Sequence, residues 1–292
     1  QRDLVKRQLP EIVEQSVPIG SLSANLCMEV KLEGEAPLIF PTSDDQQAGL
    51  IGGGAVEAGQ VAIILGNSAV VNSPHDIFPK EDGLDVMRLN WGPYLWMRCY
   101  HNGAQFLDHI MGEDPRWDDL EKEAQTVDAG CDGLTVMPFV RVEPSLGIDA
   151  PWVSLSKHPE NRGEQFRASL EALAYLIALG VQAHQRAGQE ITQLTVSGGI
   201  ARSDLMCEIL ASVLNRRLKR LQSFEGPALG AAVTALAALE THRRREKGIE
   251  GQFTVADAVS KMVQFPKEVK PNPDWLATYS DGLKAFQGKL PQ

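Results

Sequence analysis

Three short stretches constrain this chain most, because each joins a strand-like run to a turn rich in small or polar residues. They span residues 42–47, 66–68 and 197–203. Strands that feed glycine turns and then helices are typical of α/β proteins, in which ligands bind at the carboxyl ends of strands. The sequence therefore predicts an α/β fold with a ligand site built from these three turns.

The first turn carries acids directly after a short apolar run. The run APLIF at 36–40 predicts a strand, and Asp44, Asp45 and Gln46 follow it before the chain becomes small and apolar. A carboxylate at the end of a strand can accept a hydroxyl proton, and a carboxamide beside it can orient a polyol. Acids in front of a helix also cap it and favour its positive end, so residue types alone leave both interpretations open.

The second and third turns are built around glycine. The run at 61–65, the turn residues 66–68 and the β-branched residues after them predict a tight hairpin. A strand at 194–196 leads through Gly198 and Gly199 to a helix that Ser203 is placed to cap. Glycine lets backbone N–H groups approach phosphate oxygens, although each turn alone also fits an ordinary tight turn.

Two helices and one irregular region complete the pattern. Apolar residues recur every three or four positions over 163–188, which predicts an amphipathic helix with His184 packed on or near its apolar face rather than acting in catalysis. A helix from Pro227 has many small residues, which would let its backbone lie close to a neighbour. Residues 74–133 show no clean period, and loops and insertions are expected there.

Composition narrows the classes of protein. Hydrophobic residues make up 43% of the 292 residues and charged residues 23%, as in ordinary globular proteins. A net charge of −10 disfavours a nucleic-acid partner. Four scattered cysteines form no CxxC pair, which argues against a zinc site or disulfide framework and fits a reducing cytoplasm. No apolar run approaches the roughly 20 residues that cross a bilayer, so no membrane partner is expected.

In order and spacing, the motifs resemble those of the FGGY carbohydrate kinases. That family has a strand followed by GDxQ, then a glycine turn reading GTS or GTG, and later GGGAxS before a helix. This chain has DDQQ at 44–47, LGNS at 65–68 and SGGIARS at 197–203. The segments GPALGAAVTAL and PNPDWLATY are similar as well, and the residues at 100–103 and 138–144 look more similar to xylulokinases than to glycerol kinases.

The resemblance implies an actin-like ATPase (ribonuclease H-like) fold, present as the C-terminal lobe plus a remnant of the N-terminal lobe. Residues 1–56 would end the N-terminal sugar-binding lobe and hold the catalytic turn, and residues 57–292 would form the C-terminal nucleotide-binding lobe. The implied reaction is ATP-dependent phosphorylation of a sugar hydroxyl, with a ketopentose such as xylulose as substrate and ATP with Mg²⁺ as cofactors.

Roles follow position by position from the resemblance. Asp45 falls on the general base that takes the hydroxyl proton, with Gln46 and Asp44 on the sugar side. The nucleotide side would comprise two groups of residues: the phosphate turn and its neighbour (Gly66, Asn67, Ser68, Gly103), and the positions beside the adenosine (Gly198, Gly199, Ser203). No protein metal cluster is implied.

Three departures from the family pattern stand out. Asp44 replaces the glycine before the base, and Asn67 replaces the threonine of the phosphate turn. The chain is also much shorter than such kinases, so we expect a C-terminal portion that is inactive alone. A non-catalytic sugar- or nucleotide-binding member is the alternative, and an actin-like structural protein is a third reading. A homodimer is compatible with the sequence, which does not fix the oligomeric state.

Overall fold

The computed structural model describes residues 7–8, 13–79, 83–112 and 115–291. The described strands are β1 (Gly20–Ser21), β2 (Leu38–Ile39), β3 (Gln60–Leu65), β4 (Ala69–His75), β5 (Asp85–Arg88), β6 (Tyr94–Tyr100), β7 (Val136–Phe139), β8 (Trp152–Leu155), β9 (Gln193–Ser197), β10 (Leu218–Arg220) and β11 (Lys267–Val269). The described α-helices are α1 (Ala24–Glu29), α2 (Asp45–Gly52), α3 (Ala104–Met111), α4 (Trp117–Gln125), α5 (Arg162–Arg186), α6 (Asp204–Leu214), α7 (Gly226–Glu246), α8 (Val255–Met262) and α9 (Leu276–Gln287).

A seven-stranded mixed sheet organises these elements, in the order β11-β10-β9-β3-β4-β6-β5. Strand β3 runs parallel to β9 and antiparallel to β4, and β4 runs antiparallel to β6. The carboxyl ends of β3, β6 and β9 therefore meet at one edge of the sheet. The α/β fold class and the hairpin that joins β3 to β4 are confirmed.

The long helix α5 covers one face of this sheet. Gly180 lets it lie against β4 and β6, since a Cβ there would stand 2.9 Å from Val71 and 3.2 Å from Tyr100. By length and composition α5 could cross a membrane, with a mean hydropathy of 1.2 over its most apolar window, which differs from the expectation that no stretch would qualify. Because 94% of that window is buried inside the fold, core packing accounts for its composition.

Helices α2 and α7 cover the opposite face and cross each other at van der Waals distance. A Cβ on Gly52 would overlap the carbonyl of Gly226, and a Cβ on Gly230 would overlap the carbonyl of Ala48. Thr195 in β9 donates its hydroxyl to the carbonyl oxygen of Gly53 at 2.7 Å, which ties the end of α2 to the sheet. The predicted close packing of the small-residue helix is confirmed, with α2 as its neighbour.

The structure corrects the expectation of loops over 74–133. This region holds β5, β6, α3 and α4. Strand β6 reads YLWMRCY, and it lacks a period-two pattern because it is paired on both sides and partly covered on both faces. The strand expected at 36–40 is shorter, since only Leu38–Ile39 pairs, with β1.

His184 is packed in the core, as expected. Its two ring nitrogens lie 2.9 Å from the carbonyl oxygen of Gly180 and 3.1 Å from that of Trp96. Burial lowers the pKa of this imidazole. The side chain therefore ties α5 to β6 and takes no part in the ligand site.

A buried ionic network attaches the last helix to α5. Arg167 and Glu171 are 1% and 2% exposed, and Arg167 Nε lies 3.2 Å from Glu171 Oε1. The same carboxylate oxygen accepts hydrogen bonds from the Tyr279 hydroxyl at 3.0 Å and from the Gly130 N–H at 2.9 Å. The Arg167 guanidinium lies over the Trp275 ring, 4.6 Å from its centroid. Removing one partner would leave a buried charge without its counterion.

We expect Arg167→Met to lower the free energy of unfolding by about 3–5 kcal/mol, because it strands the Glu171 carboxylate in the core. The matched control is Arg217→Met, which breaks the exposed pair with Glu268 and should cost under about 1 kcal/mol. Urea unfolding followed by circular dichroism measures both values. Equal losses in the two variants would show that the buried network does not stabilise the fold.

Candidate functional site

The turn between β3 and β4 is the centre of the site. The Gly66 N–H donates to the Ser68 carbonyl oxygen at 3.0 Å, which closes the turn. The start of α3 packs on it: the Gly103 N–H donates to the Asn67 carbonyl at 3.0 Å, and the Ala104 N–H donates to that of Gly66 at 2.9 Å. A Cβ on Gly103 would overlap the Gly66 carbonyl. Residue 103 must therefore be glycine for α3 to begin here.

The turn after β9 packs against the same hairpin. Gly198 has φ +96°, and a Cβ on it would overlap the backbone of Leu65. Gly199 starts a short 3₁₀ helix and is exposed, with no atom within 4 Å of the Cβ that it lacks. The first glycine is thus required by the fold, whereas the second leaves open space in front of the backbone.

Ser203 closes this turn by capping α6. Its hydroxyl oxygen accepts a hydrogen bond from the Met206 N–H at 2.9 Å. A second acceptor at this helix start is Glu121 of α4, whose Oε1 accepts the Leu205 N–H at 3.0 Å. Asp204 is held by Lys267 and Arg220, and its hydrogen bond with Lys267, aided by that with Arg220, lowers the pKa of this carboxyl. The start of α6 is therefore fixed from several sides.

The start of α2 carries the predicted catalytic turn. Asp44 is the N-cap, and its Oδ1 accepts the N–H groups of Gln46 and Gln47 at 2.9 and 3.0 Å. This geometry favours the capping interpretation that residue types had left open. Asp45, the first helical residue, is exposed. Asp44 thus orients the helix, and Asp45 presents its carboxylate outward.

The amides after Asp45 anchor α2 to the sheet. Asn72 of β4 is fully buried, and its Nδ2 lies 3.4 Å from both the carbonyl oxygen and Oε1 of Gln46. Gln47 is 2% exposed, and its Oε1 accepts the Asn90 N–H at 2.6 Å. Gln46 is half-buried and directly follows the exposed Asp45.

The Cys99 thiol on β6 shows how the turns at 44–47 and 66–68 are related. Burial raises the pKa of this thiol, and a hydrogen bond with Ser68 lowers it. The negative charge of Asp45 makes a smaller contribution that also raises it. Gln46 contacts Asn72, which lies two residues along β4 from Val70, and Val70 pairs with Cys99, so the start of α2 lies on the same face of the sheet as the Cys99 side chain.

The structure thus brings most of the predicted residues together at one edge. The turn 66–68 and Gly103 are in direct contact, Gly198 packs on Leu65 directly before that turn, and the start of α2 is attached to Asn72 of the adjoining strand β4. One cavity of about 580 Å³ lies elsewhere, at the far end of β4, and includes His75, Arg88 and Trp91. It contains none of the predicted residues, because the predicted site is an open surface in this chain.

Sequence reasoning missed the buried polar pair that joins a third loop to this edge. Glu143 is 1% exposed, and its Oε2 accepts the His101 N–H at 2.8 Å and the Asn102 Nδ2 at 3.2 Å. Asn102, which is fully buried, also accepts the Arg141 N–H at 2.9 Å. The loop at 141–145 is thereby attached to the start of α3. Both segments, 100–103 and 138–144, look similar to xylulokinases in sequence, but nothing in the sequence indicated that they contact each other.

One protein-family model matches the central part of the chain, which includes the turn at 197–203. The model described as the FGGY family of carbohydrate kinases, C-terminal domain, matches residues 96–239. This segment of the chain belongs to the FGGY family. The matched segment contains four of the predicted site residues, namely Gly103, Gly198, Gly199 and Ser203.

Individual relatives agree with this assignment. The chain is 22% identical over 258 residues to a xylulose kinase of Staphylococcus epidermidis, covering 84% of this chain and 51% of that protein. It is 24% identical to a gluconokinase of Bacillus subtilis, covering 95% of this chain and 56% of that protein. The chain therefore spans about half the length of these curated relatives.

A solved structure shows the same fold. The ligand-bound xylulose kinase of Lactobacillus acidophilus superposes with a TM-score of 0.79 at 18% identity, covering 97% of this chain and 58% of that one. The actin-like ATPase fold predicted for the chain is confirmed.

The two glycines of the third turn give a sharp contrast. We expect Gly198→Ala to lower the free energy of unfolding by about 2 kcal/mol or more, because it combines an unfavourable φ with overlap on Leu65. The adjacent Gly199→Ala should change it by less than about 0.5 kcal/mol, since open space surrounds that position. Urea unfolding of the two variants tests this. A neutral Gly198→Ala would contradict the packing described here.

Two substitutions separate the capping role of the Asp44 side chain from its negative charge. We expect Asp44→Ala to lower the free energy of unfolding by about 1 kcal/mol, because two N–H groups of α2 lose their acceptor. Asp44→Asn should cost much less, since Asn is an equally good cap. If thermal and urea unfolding place both variants at the same stability, Asp44 does not act as a cap.

Proposed function

We propose that this chain is the nucleotide-binding half of a sugar kinase that transfers the γ-phosphoryl group of ATP to a hydroxyl of a ketopentose such as xylulose. The observation that carries the proposal is the packing of Gly103 and Gly198 on the turn at 65–68. That packing gathers two glycine-built turns and a helix start at one edge. The exposed Asp45 begins α2, which is attached to the adjoining strand β4 through Gln46 and Asn72. Backbone N–H groups at such an edge suit phosphate oxygens.

Asp45 is the proposed general base. Its carboxylate is exposed and attached to a helix that Asp44, Asn72 and Asn90 hold in place. A sugar hydroxyl that donates to this carboxylate would lose its proton as the oxygen attacks the γ-phosphorus, and the bond to the β-phosphate oxygen would break. Gln46, half-buried next to Asp45, is proposed to orient the sugar by a hydrogen bond. Phosphoryl transfer depends mainly on such positioning and on charge neutralisation.

The residues present fit a Mg²⁺ ion that arrives with the nucleotide. Among the described residues, no group of three or more His, Cys, Asp or Glu side chains could form a protein cage for a metal ion. Mg²⁺ in kinases is held largely by phosphates and one or two carboxylates, and Asp45 offers a hard oxygen donor of that type. When bound, the ion would neutralise charge on the phosphates.

We propose that the segment before α2 packs against the N-terminal half of a longer protein. Exposed large apolar side chains are concentrated there: Val13, Val17, Ile19, Leu26, Met28, Val30, Leu32, Leu38 and Ile39. Helix α1 buries none of its residues. Such a concentration marks an interaction surface. The boundary at residue 56 stays a prediction, and α2, on its N-terminal side, packs on the sheet and on α7.

That second half would complete the cleft, so the chain alone is proposed to lack turnover. The names of the relatives support a sugar substrate, since they include a xylulose kinase and a gluconokinase. Xylulose is our proposal because of the xylulokinase-like residues at 100–103 and 138–144. The four cysteines are unpaired, which suits the proposed cytoplasmic location.

The test uses the full-length protein that contains this chain. We expect ATP-dependent phosphorylation of a ketopentose, and a loss of kcat of about 10²–10⁴-fold in Asp45→Asn, because that variant keeps the side chain's size but not its proton acceptor. The Kd for ATP should stay nearly constant. Product is measured by ADP release across a panel of ketoses, polyols and aldonates.

The matched control is Asp76→Asn, which removes an exposed carboxylate just beyond the far end of β4 and should leave kcat unchanged. Full activity in Asp45→Asn would refute the assigned base. Binding of ATP and sugar without phosphorylated product across the panel would instead identify a non-catalytic binding protein.

A further inference from the structure

Arg141 is held in an unusual way for an exposed arginine. Its Nε donates to Gln105 Oε1 at 2.6 Å, and its backbone N–H and carbonyl are both bonded to the Asn102 side chain, at 2.9 and 3.3 Å. Within the described part of the chain, neither terminal nitrogen of the guanidinium has a hydrogen-bond or ion-pair partner. The side chain is thus positioned through its inner nitrogen, with its outer donors available.

The place where these donors lie is the beginning of α3. Gln105 belongs to the first turn of that helix, and Asn102 directly precedes its N-cap, Gly103. Gly103 donates its N–H to the carbonyl of Asn67 in the turn 66–68. Two hydrogen bonds and one peptide link therefore connect the backbone of Arg141 to the proposed phosphate turn. No side chain caps α3, and the N–H groups of Gly103 and Ala104 donate to the carbonyls of the turn instead.

Electrostatics favours a positively charged side chain at this edge. The chain carries a net charge of −10, and Asp45 and Glu143 add negative charge close to the turn. A nucleotide polyphosphate would meet repulsion there unless fixed positive charge stood nearby. A guanidinium suits this task, because it stays charged and its planar fork matches two phosphate oxygens.

We propose that Arg141 is a phosphate-binding residue of the nucleotide site, with Gln105 and Asn102 as its positioning residues. The inference rests on the proposed function, because it assigns a residue to the same nucleotide site. It predicts a contact that depends on the phosphates of the ligand and not on its base or ribose. Adenosine and ADP therefore separate this role from a structural one.

The experiment measures binding of ADP and adenosine to the full chain by isothermal titration calorimetry. We expect Arg141→Gln to weaken ADP binding at least about tenfold while leaving adenosine affinity unchanged, since the variant loses a charge-assisted hydrogen bond to the phosphates. Arg141→Lys keeps the charge without the fork and should lose less. ADP binding to Arg141→Gln should also depend less steeply on salt. Arg88→Gln, an exposed arginine on β5, is the matched control and should bind both ligands normally.

Each other outcome counts against a specific statement. If the unaltered chain and Arg141→Gln bind ADP equally, the assignment of Arg141 is overturned and the proposed function stands. If Arg141→Gln loses ADP and adenosine to the same extent, with a lower melting temperature, its role is structural and the inference fails. If the unaltered chain binds neither ligand, the proposed nucleotide site is wrong, and the assignment of Arg141 as a phosphate-binding residue is wrong as well.

Discussion

The crossing of α2 and α7 is the contact on which the rest of the site depends. Carbonyl groups of one helix occupy the space where the other would carry Cβ atoms, at Gly52 and at Gly230. No flexible side chain separates the two backbones there, so the position and rotation of α2 are set by the least adjustable atoms of the protein. Because Asp45 is the first residue of α2, the same contact fixes the position of its backbone. A general base needs such placement, because it must lie within hydrogen-bond reach of the proton that it accepts.

Both charge and strand direction determine how a ligand can bind at this edge of the sheet. The chain as a whole repels polyanions, and its attraction for them must come from backbone N–H groups and a few fixed cations. Parallel alignment of β3 with β9 places the two glycine turns side by side, and the antiparallel hairpin brings the start of α3 to the same place. A ligand site thus arises from strand direction first, with individual side chains added to it.

The elements that could be predicted from the sequence are those determined by residues close together in the chain. The helix expected over 163–188 spans Arg162–Arg186, because its periodic apolar face and its cap at Asn161 are written in adjacent residues. The glycine turns were found from order and spacing. Strand β6 was not predicted, because burial on both faces removes the alternation of apolar and polar residues that indicates a strand. Arg141 escaped because its placement depends on Asn102, 39 residues away, and no pattern in sequence encodes that contact.

The buried network on α5 has a consequence for how the protein is made. Glu171 and Tyr279 are separated by 108 positions, and the core helix carries its ion pair long before the tyrosine that completes it has been synthesised. Before Tyr279 has been synthesised, the Glu171 carboxylate on α5 lacks one of its hydrogen-bond donors. A buried polar group without its partner disfavours early burial of α5. We therefore expect α5 to be fully buried only once Tyr279 on α9 has been synthesised and has reached Glu171.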